Sequence, residues 1–256
     1  MKRFLYFVYG VACHLLFLGT FIYMAGFVGN LLVPKTIDSA PAGPIGVAVV
    51  VNLLLLALFA AQHSIMARPT FKQVWTRIIP EPIERSTYVL ATCLVTIVLF
   101  WQWRTIDVIV WDVQTQALRV AAWALFAIGW LVVPAVTLLL DHFDLFGTRQ
   151  VWLHLTRKDY TPLPFRAPLV YKHVRHPLYI GWAIFFWAAP TMTLGHLLFA
   201  VVLTGYMVLA VFAEERDLVD NLGHEYVEYR RRVPKFIPRF TGAALASRAG
   251  CASQIS

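Results

Sequence analysis

The sequence predicts an all-α protein, a polytopic bundle of five to six transmembrane helices that includes a C-terminal helical hairpin. Of the 256 residues, 59% are hydrophobic and 14% are charged. An ordinary soluble domain is about 45–50% apolar and about 25% charged, so a soluble fold of this length could not bury the excess apolar surface. Long apolar runs separated by short charged stretches also place the chain in a lipid bilayer.

The first two predicted spans are separated by a loop rich in proline and glycine. The first apolar run, 4–33, ends at Pro34. It exceeds the roughly 7–15 apolar residues of a signal-peptide core and matches a full membrane span, so we expect no cleaved leader. The second run, 45–66, stops before Arg68, and we expect a second transmembrane helix there.

Four further apolar segments follow, and the last two form the predicted hairpin. Both are short for a span of roughly 20 residues, so the hairpin either crosses with little tilt or stops short of the far face. Pro190 and Gly195 mark a tight, uncharged turn between them. The four segments are 88–103, 120–140, 178–193 and 197–213.

The distribution of basic residues predicts the orientation of the bundle. The side that holds the N-terminus carries 19 of the 22 lysines and arginines, and the opposite side carries only Lys35, Arg104 and Arg119. Lysine and arginine accumulate in cytoplasmic loops. We therefore expect both termini in the cytoplasm of a bacterial inner-membrane protein, and six segments return the chain to its starting side.

Composition and motifs argue against several classes of function. The net charge is +8, but basic residues flank membrane spans and no nucleic-acid motif is present, so nucleic acid is not an expected partner. The sequence has three cysteines, an odd number, and no Cys-x-x-Cys motif. Neither a disulfide framework nor a metal site is therefore predicted. The sequence contains no glycine-rich phosphate loop, so a soluble nucleotide-binding domain is not expected. Membrane lipids are expected partners, and an oligomer is compatible with the sequence.

Two cytoplasmic regions, 141–177 and 214–240, are long enough to carry chemistry outside the bilayer. We therefore predict a single membrane-embedded domain, 1–240, followed by a small, polar, disordered tail, 241–256.

The densest polar cluster precedes the hairpin. Pro177 suits the first position of a helix, where its missing N–H costs nothing, and this makes His176 the predicted cap. Arg175 and His173 then lie beside a helix N-terminus, whose free N–H groups attract an anion such as a carboxylate. Gly181, one turn further on, leaves room for a ligand or another helix. The alternative is an interfacial loop whose basic residues meet lipid headgroups.

The second cluster, Glu214 and Glu215, directly follows the last apolar run. Carboxylates at a membrane boundary are costly unless they pair or bind something, and these two could face a cation or a ribose diol. The alternative is a solvated helix end with an internal pair between a glutamate and Arg216. Further along, Tyr226 and Tyr229 keep helical spacing beside a basic face, which indicates an interfacial amphipathic helix. A place for Tyr229 or Arg230 in a cofactor pocket is a secondary alternative.

Three motifs occur in order in the C-terminal half, with the predicted hairpin between the first two. They are Arg175-His176-Pro177-x-Tyr179-x-Gly181, Glu214-Glu215-x-x-Leu218 and Gly223-x-x-Tyr226-x-x-Tyr229. This ordered set resembles the isoprenylcysteine carboxyl methyltransferase and phospholipid methyltransferase superfamily. In that family the first two motifs frame the S-adenosylmethionine site on the cytoplasmic side. The resemblance therefore implies this cofactor and a cofactor-binding part at about 141–240.

Two further motifs extend the resemblance along nearly the whole chain. Ala61-Gln62-His63-Ser64 and Asp141-His142-Phe143-Asp144-Leu145-Phe146-Gly147 are similar to segments of bacterial methanethiol S-methyltransferases, and NnrU-type proteins share parts of them. The resemblance implies methylation of a small thiol, methanethiol, to dimethyl sulfide. The alternatives are a methyltransferase acting on a lipid or prenyl-cysteine substrate, and a non-enzymatic NnrU-type membrane accessory protein.

A thiol must lose its proton before it accepts a methyl group, and even a cysteine thiol has a pKa of about 8.5. We expect a base, and the candidates are His142, Asp144 and His63, in that order. The alternatives are structural: His63 as a satisfied buried histidine, and Asp141 with His142 as a cap of the fourth span.

Overall fold

A computed structural model describes residues 1–39 and 43–238, and within them the chain is a bundle of α-helices joined by one small β-ribbon. Five helices are long and apolar enough to cross a membrane, which confirms the predicted polytopic bundle. The predicted tail 241–256 and Cys251 lie outside the described residues. The helices are α1 (Lys2–Gly29), α2 (Ile45–Ala67), α3 (Pro69–Trp75), α4 (Glu81–Gln102), α5 (Gln116–Leu140), α6 (His142–Leu145), α7 (Thr148–Leu155), α8 (Pro177–Trp187), α9 (Leu194–Leu222) and α10 (His224–Arg232); the strands are β1 (Ile109–Asp112) and β2 (Thr191–Thr193).

Backbone chemistry sets the ends of the long helices. Helix α1 stops at Gly29, before the predicted end of the apolar run, because Asn30 takes a left-handed conformation (φ 54°) and its N–H bonds to the Gly26 carbonyl. Helix α4 starts earlier than predicted, at Glu81. A proline in its first turn needs no N–H partner there, and the acidic residues of that turn suit the positive end of the helix dipole.

The C-terminal hairpin reaches the side of the bundle opposite α10. Helix α8 has 11 residues, which cover only about 16 Å at 1.5 Å per residue. The chain covers the remaining length of the bundle in extended form, because β2 pairs antiparallel with β1, the strand between α4 and α5. The N–H of Gly195 also donates to the Ile106 carbonyl at 3.0 Å. The predicted uncharged turn is therefore half of a hydrogen-bonded ribbon, which marks one end of the bundle; α10 marks the other.

Helices α5 and α8 are held together by two facing glycines. A Cβ atom added at Gly129 would lie 2.5 Å from the backbone nitrogen of Phe185 and 2.9 Å from the carbonyl oxygen of Gly181. A Cβ atom added at Gly181 would lie 2.8 Å from a Val132 methyl carbon. Small residues let helix backbones approach closely where the bilayer supplies little hydrophobic force between helices. The room predicted at Gly181 is therefore occupied by a neighbouring helix.

The two ends of the bundle are packed differently. At the ribbon end, aromatic rings from α1, α4 and α9 fill the interior: Phe27 lies 4.7 Å from Phe100, and Trp103, at the end of α4, lies 5.7 Å from Phe199, centroid to centroid. The same helices enclose a cavity nearer the α10 end. The close-packed ribbon end therefore supports the α10 end, where the cavity leaves space for a ligand.

We expect Gly129→Ala to destabilise the protein by about 1–3 kcal/mol, the usual cost of overpacking, because the backbone atoms it meets cannot rotate away. Gly19→Ala is the matched control, since an added Cβ at Gly19 meets nothing within 4 Å. Thermal unfolding in detergent measures both variants. Equal midpoints would contradict close packing of α5 against α8.

Candidate active site

A buried ion pair ties the start of α8 to the end of α9. Arg175 is 8% exposed and Glu215 is 4% exposed. Nε and Nη2 of Arg175 donate to Oε1 of Glu215 at 2.9 and 2.7 Å. Nη1 donates to the backbone carbonyl of Arg230 at 2.9 Å and also to that of Val233. Each guanidinium nitrogen is therefore engaged within the protein, and the pair joins three segments of the chain.

His176 and Lys235 complete this cluster. Nε2 of His176 lies 3.1 Å from Oε1 of Glu215, and Nζ of Lys235 lies 3.3 Å from its Oε2. His176 occupies the N-cap position of α8, as predicted from Pro177, but its side chain makes no capping hydrogen bond. Several polar contacts offset the cost of taking the Glu215 carboxylate out of water. The pairing with Arg216, considered from sequence, is replaced by this contact with Arg175.

Glu214, one residue earlier, points elsewhere. Its side chain is 46% exposed, and its Oε2 accepts a hydrogen bond from the Tyr179 hydroxyl at 2.8 Å. Successive side chains of an α-helix are about 100° apart around its axis, given 3.6 residues per turn. The Glu215 carboxylate thus forms a buried brace with Arg175, and the Glu214 carboxylate remains available to a ligand beside α8.

A central cavity of about 300 Å³ lies among α1, α2, α4, α5, α6, α8 and α9. That volume is at the lower end of the roughly 300–1,000 Å³ of small-molecule sites. Tyr179 lines it and so connects its wall to Glu214. Titratable groups on the wall include His63, Tyr88 and Tyr206. The aromatic part of the wall comprises Phe17, Phe21, Phe59, Phe146, Trp182 and Phe186.

His63 lies directly on this wall. Its ring stacks on Phe59 with centroids 5.4 Å apart, and its Nδ1 lies 3.0 Å from the Tyr88 hydroxyl. The same residues support the structural interpretation, because a stacked and hydrogen-bonded histidine is satisfied without a ligand.

His142 lies behind the wall and is connected to it by Thr137. Thr137 lines the cavity, and its hydroxyl lies 2.9 Å both from Nδ1 of His142 and from the Pro134 carbonyl. Burial lowers the pKa of His142, and the nearby Asp141 carboxylate opposes that shift. The imidazole is therefore neutral at physiological pH and can accept a proton.

His14 borders His142 on the other side. The two rings meet edge to face, with centroids 5.1 Å apart. Within the described residues, the buried Nδ1 of His14 has no hydrogen-bond partner. No sequence motif singled out this residue.

Asp144 stands apart from the cavity. Its carboxylate pairs with Arg149 at 2.8 Å, and its N–H donates to the Asp141 side chain at 3.1 Å. These contacts hold the turn from α6 to α7. The cap predicted at Asp141 is present, but it serves the short helix α6, while Asp141 itself ends α5 in a left-handed conformation (φ 96°).

Tyr229 and His173 also lie outside the cavity wall. The Tyr229 hydroxyl donates to the Tyr171 carbonyl at 2.6 Å, and burial raises the pKa of Tyr229 to about 12, so this donor stays protonated. The His173 side chain is exposed.

The described residues contain no group of three or more histidine, cysteine or acidic side chains that could hold a metal ion. Sequence reasoning missed Thr137, Tyr88, Tyr206 and Lys235 as members of the site. The first three are single polar residues on apolar helices and resemble ordinary packing residues. Lys235 is one of several basic residues at and after the end of α10, and only its contact with Glu215 distinguishes it.

Comparisons with known proteins agree over most of the chain. A family model described as NnrU protein matches residues 51–246. Methanethiol S-methyltransferase of Mycobacterium tuberculosis (strain ATCC 25618 / H37Rv) is 53% identical over 238 residues, which cover 93% of this chain and 98% of that protein. The protein of the same name from Crocosphaera subtropica is 48% identical, covering 90% of this chain and 91% of its own length. Nurim of Bos taurus is 30% identical and covers 67% of this chain and 68% of its own. No solved structure matches.

We expect Glu215→Ala to destabilise the protein by about 3–5 kcal/mol, because it leaves Arg175 buried without its counter-ion. Glu214→Ala is the matched control: it removes a half-exposed carboxylate from the same helix and should change stability by about 0.5 kcal/mol or less. Thermal unfolding of the two variants decides the point. Similar losses in both would contradict the distinction between a buried brace and an available carboxylate.

Proposed function

This chain belongs to the NnrU protein family, and from that premise we propose that it is an S-adenosylmethionine-dependent methyltransferase that methylates a small thiol. The preferred thiol is methanethiol, and the product is dimethyl sulfide. The observation that carries the proposal is the small aromatic cavity whose wall residue Tyr179 bonds to the available carboxylate of Glu214. The relatives named methanethiol S-methyltransferase, at 48–53% identity, support the same activity.

The residues around the cavity suit the proposed cofactor. When bound, S-adenosylmethionine would supply an electrophilic methyl group, which leaves its sulfonium sulfur for the thiolate sulfur. Aromatic faces stabilise a nearby cation, and the wall offers the rings of Tyr179 and Trp182. Glu214 would accept the ammonium or the ribose hydroxyls, and such charge-assisted hydrogen bonds contribute about 1.5–3 kcal/mol.

The start of α8 would receive the cofactor carboxylate. Pro177 has no N–H, and the next N–H groups of the first turn have no partner within the helix. The neighbouring positive dipole end favours an anion there. Arg175 assists by positioning: its nitrogens are occupied by Glu215 and backbone carbonyls, so it fixes the orientation of α8 relative to α9.

The aromatic and apolar lining of the cavity favours this reaction. Thiolate and sulfonium neutralise each other as the bond forms, so a dry site does not oppose the step as strongly as it opposes charge separation. A volume of about 300 Å³ admits a thiol of one carbon. A small apolar thiol also enters readily from the lipid.

We assign removal of the thiol proton to Thr137 and His142. The Thr137 hydroxyl hydrogen has two acceptors at the same distance, the Pro134 carbonyl and Nδ1 of His142. Thr137 therefore can take the thiol proton on its oxygen while its own hydrogen passes to His142, next to the carboxylate of Asp141. His63 is the competing acceptor, since it lines the cavity itself. The ion pair of Asp144 with Arg149 favours a structural role for that carboxylate.

The same proposal includes the placement of the protein. We assign both termini and the α10 end to the cytoplasm of a bacterial inner membrane, on the basis of the basic residues concentrated at that end. Residues 1–240 form one domain, and 141–240 supply most of the cofactor contacts.

We expect purified protein with methyl-labelled S-adenosylmethionine to form volatile labelled product from methanethiol, with activity falling as the thiol lengthens. Glu214→Ala should raise KM for the cofactor tenfold or more, because it removes a charge-assisted contact, and should leave folding intact. Product counting over a panel of thiols measures both effects.

Tyr226→Phe is the control for general damage near the site, since it removes only a hydroxyl outside the cavity. Equal activity on prenyl thiols and methanethiol would favour a lipid-type substrate. Complete absence of transfer to any thiol, with folded protein, would favour a non-enzymatic role.

A pH–rate profile tests the proton acceptor. Burial lowers the pKa of His142, so the imidazole loses its proton at a pH below the ordinary histidine pKa of about 6.5. The rate should therefore rise with pH below about 6.5 and level off near neutral pH. His142→Ala should lower the rate at neutral pH and recover much of it at high pH, where solvent supplies thiolate.

Thr137→Val should show the same pH-dependent deficit, because it keeps the shape of the side chain and removes the hydroxyl link. A deficit in His142→Ala that is independent of pH would reject its role in proton removal. Recovery at high pH in His63→Gln instead would transfer that role to His63.

A further inference from the structure

Helix α9 presents different faces to two cavities. Tyr206 and Met207 line the central cavity, and Glu214 follows Met207 by two helical turns on the same face of the helix. Phe212, Arg216 and Val219 lie on another face and line a separate surface pocket of about 500 Å³. The buried pair of Arg175 and Glu215 forms part of the wall of the surface pocket, which shares no lining residue with the central cavity.

The surface pocket has a strong excess of positive charge. Arg175, Arg216, Arg230 and Lys235 contribute four cations, against the single carboxylate of Glu215. Arg216 and Arg230 are exposed, and within the described residues neither side chain makes an ion pair. Two cations that share a pocket without a counter-ion favour an anionic ligand.

The wall of the pocket continues into a lipid-facing apolar stripe. Leu209 and Phe212 are 71% and 60% exposed, and they precede Arg216 by seven and four residues, which places all three on one side of α9. Nζ of Lys235 lies 4.0 Å from the centre of the Phe212 ring. The apolar stripe and the cationic pocket therefore meet where α9 leaves the apolar zone.

We propose that this pocket binds the phosphate of an anionic phospholipid whose acyl chains lie along the stripe of Leu209 and Phe212. A phosphate offers acceptor oxygens to guanidinium groups, and basic pockets beside transmembrane helices suit anionic headgroups. A free soluble phosphate ester offers the same charge but makes no use of the stripe. The adjoining stripe is the observation that favours the lipid.

The test measures binding of phosphatidylglycerol to the full-length protein in neutral detergent with excess phosphatidylcholine, by native mass spectrometry. The double variant R216Q/R230Q should bind phosphatidylglycerol about twenty-fivefold more weakly than the native protein, because each cation near an anionic headgroup contributes about fivefold. Both side chains are exposed, so the variant should keep the native unfolding temperature.

The double variant R231Q/R232Q is the matched control. It removes the same charge from the same end of the molecule, but these arginines pair with Glu228 and are 72% and 78% exposed outside the pocket. It should bind phosphatidylglycerol with native affinity. Equal weakening in the two double variants would overturn the site in favour of diffuse attraction between charges.

Soluble glycerol phosphate separates the two sources of the anion. It should fail to displace phosphatidylglycerol at concentrations a hundredfold above those of the lipid. Displacement at equal concentration would overturn the lipid assignment, and absence of phosphatidylglycerol binding to the native protein would overturn the proposal as a whole.

Discussion

The buried contact between Arg175 and Glu215 holds together the segments on which the rest of the site depends. Its energy is a balance, because two charges removed from water are stabilised only by close geometry and additional hydrogen bonds. Here the additional bonds come from His176, Lys235 and two backbone carbonyls. The pair therefore favours one arrangement of α8, α9 and the segment after α10 over looser alternatives.

That arrangement decides which carboxylate is available. Glu215 is held in the buried pair with Arg175. Glu214 lies beside Tyr179, a residue of the central cavity wall, and Arg216 lines the basic surface pocket. Three consecutive residues thus serve three environments through helical rotation alone. A loss of the pair between Arg175 and Glu215 would disturb all three together.

The close packing of the other end of the bundle has a complementary role. Interdigitated aromatic rings fix the positions of the helices at that end, and packed interiors deform little. A small cavity keeps its size only if its walls cannot collapse. Selection of a small thiol over a long one, as proposed, would therefore depend on residues far from the reacting atoms.

The sequence by itself determined the membrane class, the position of most spans, the helix start at Pro177 and the basic end of the bundle, because these follow from local composition, periodicity and backbone chemistry. It also drew attention to the polar residues near the site. Tertiary structure alone decided that Arg175 is a brace, that Glu214 and Glu215 differ in burial, and that Thr137 stands between His142 and the cavity. Those outcomes depend on contacts between distant segments, and helix periodicity carries no information about which distant residue fills the space opposite a side chain.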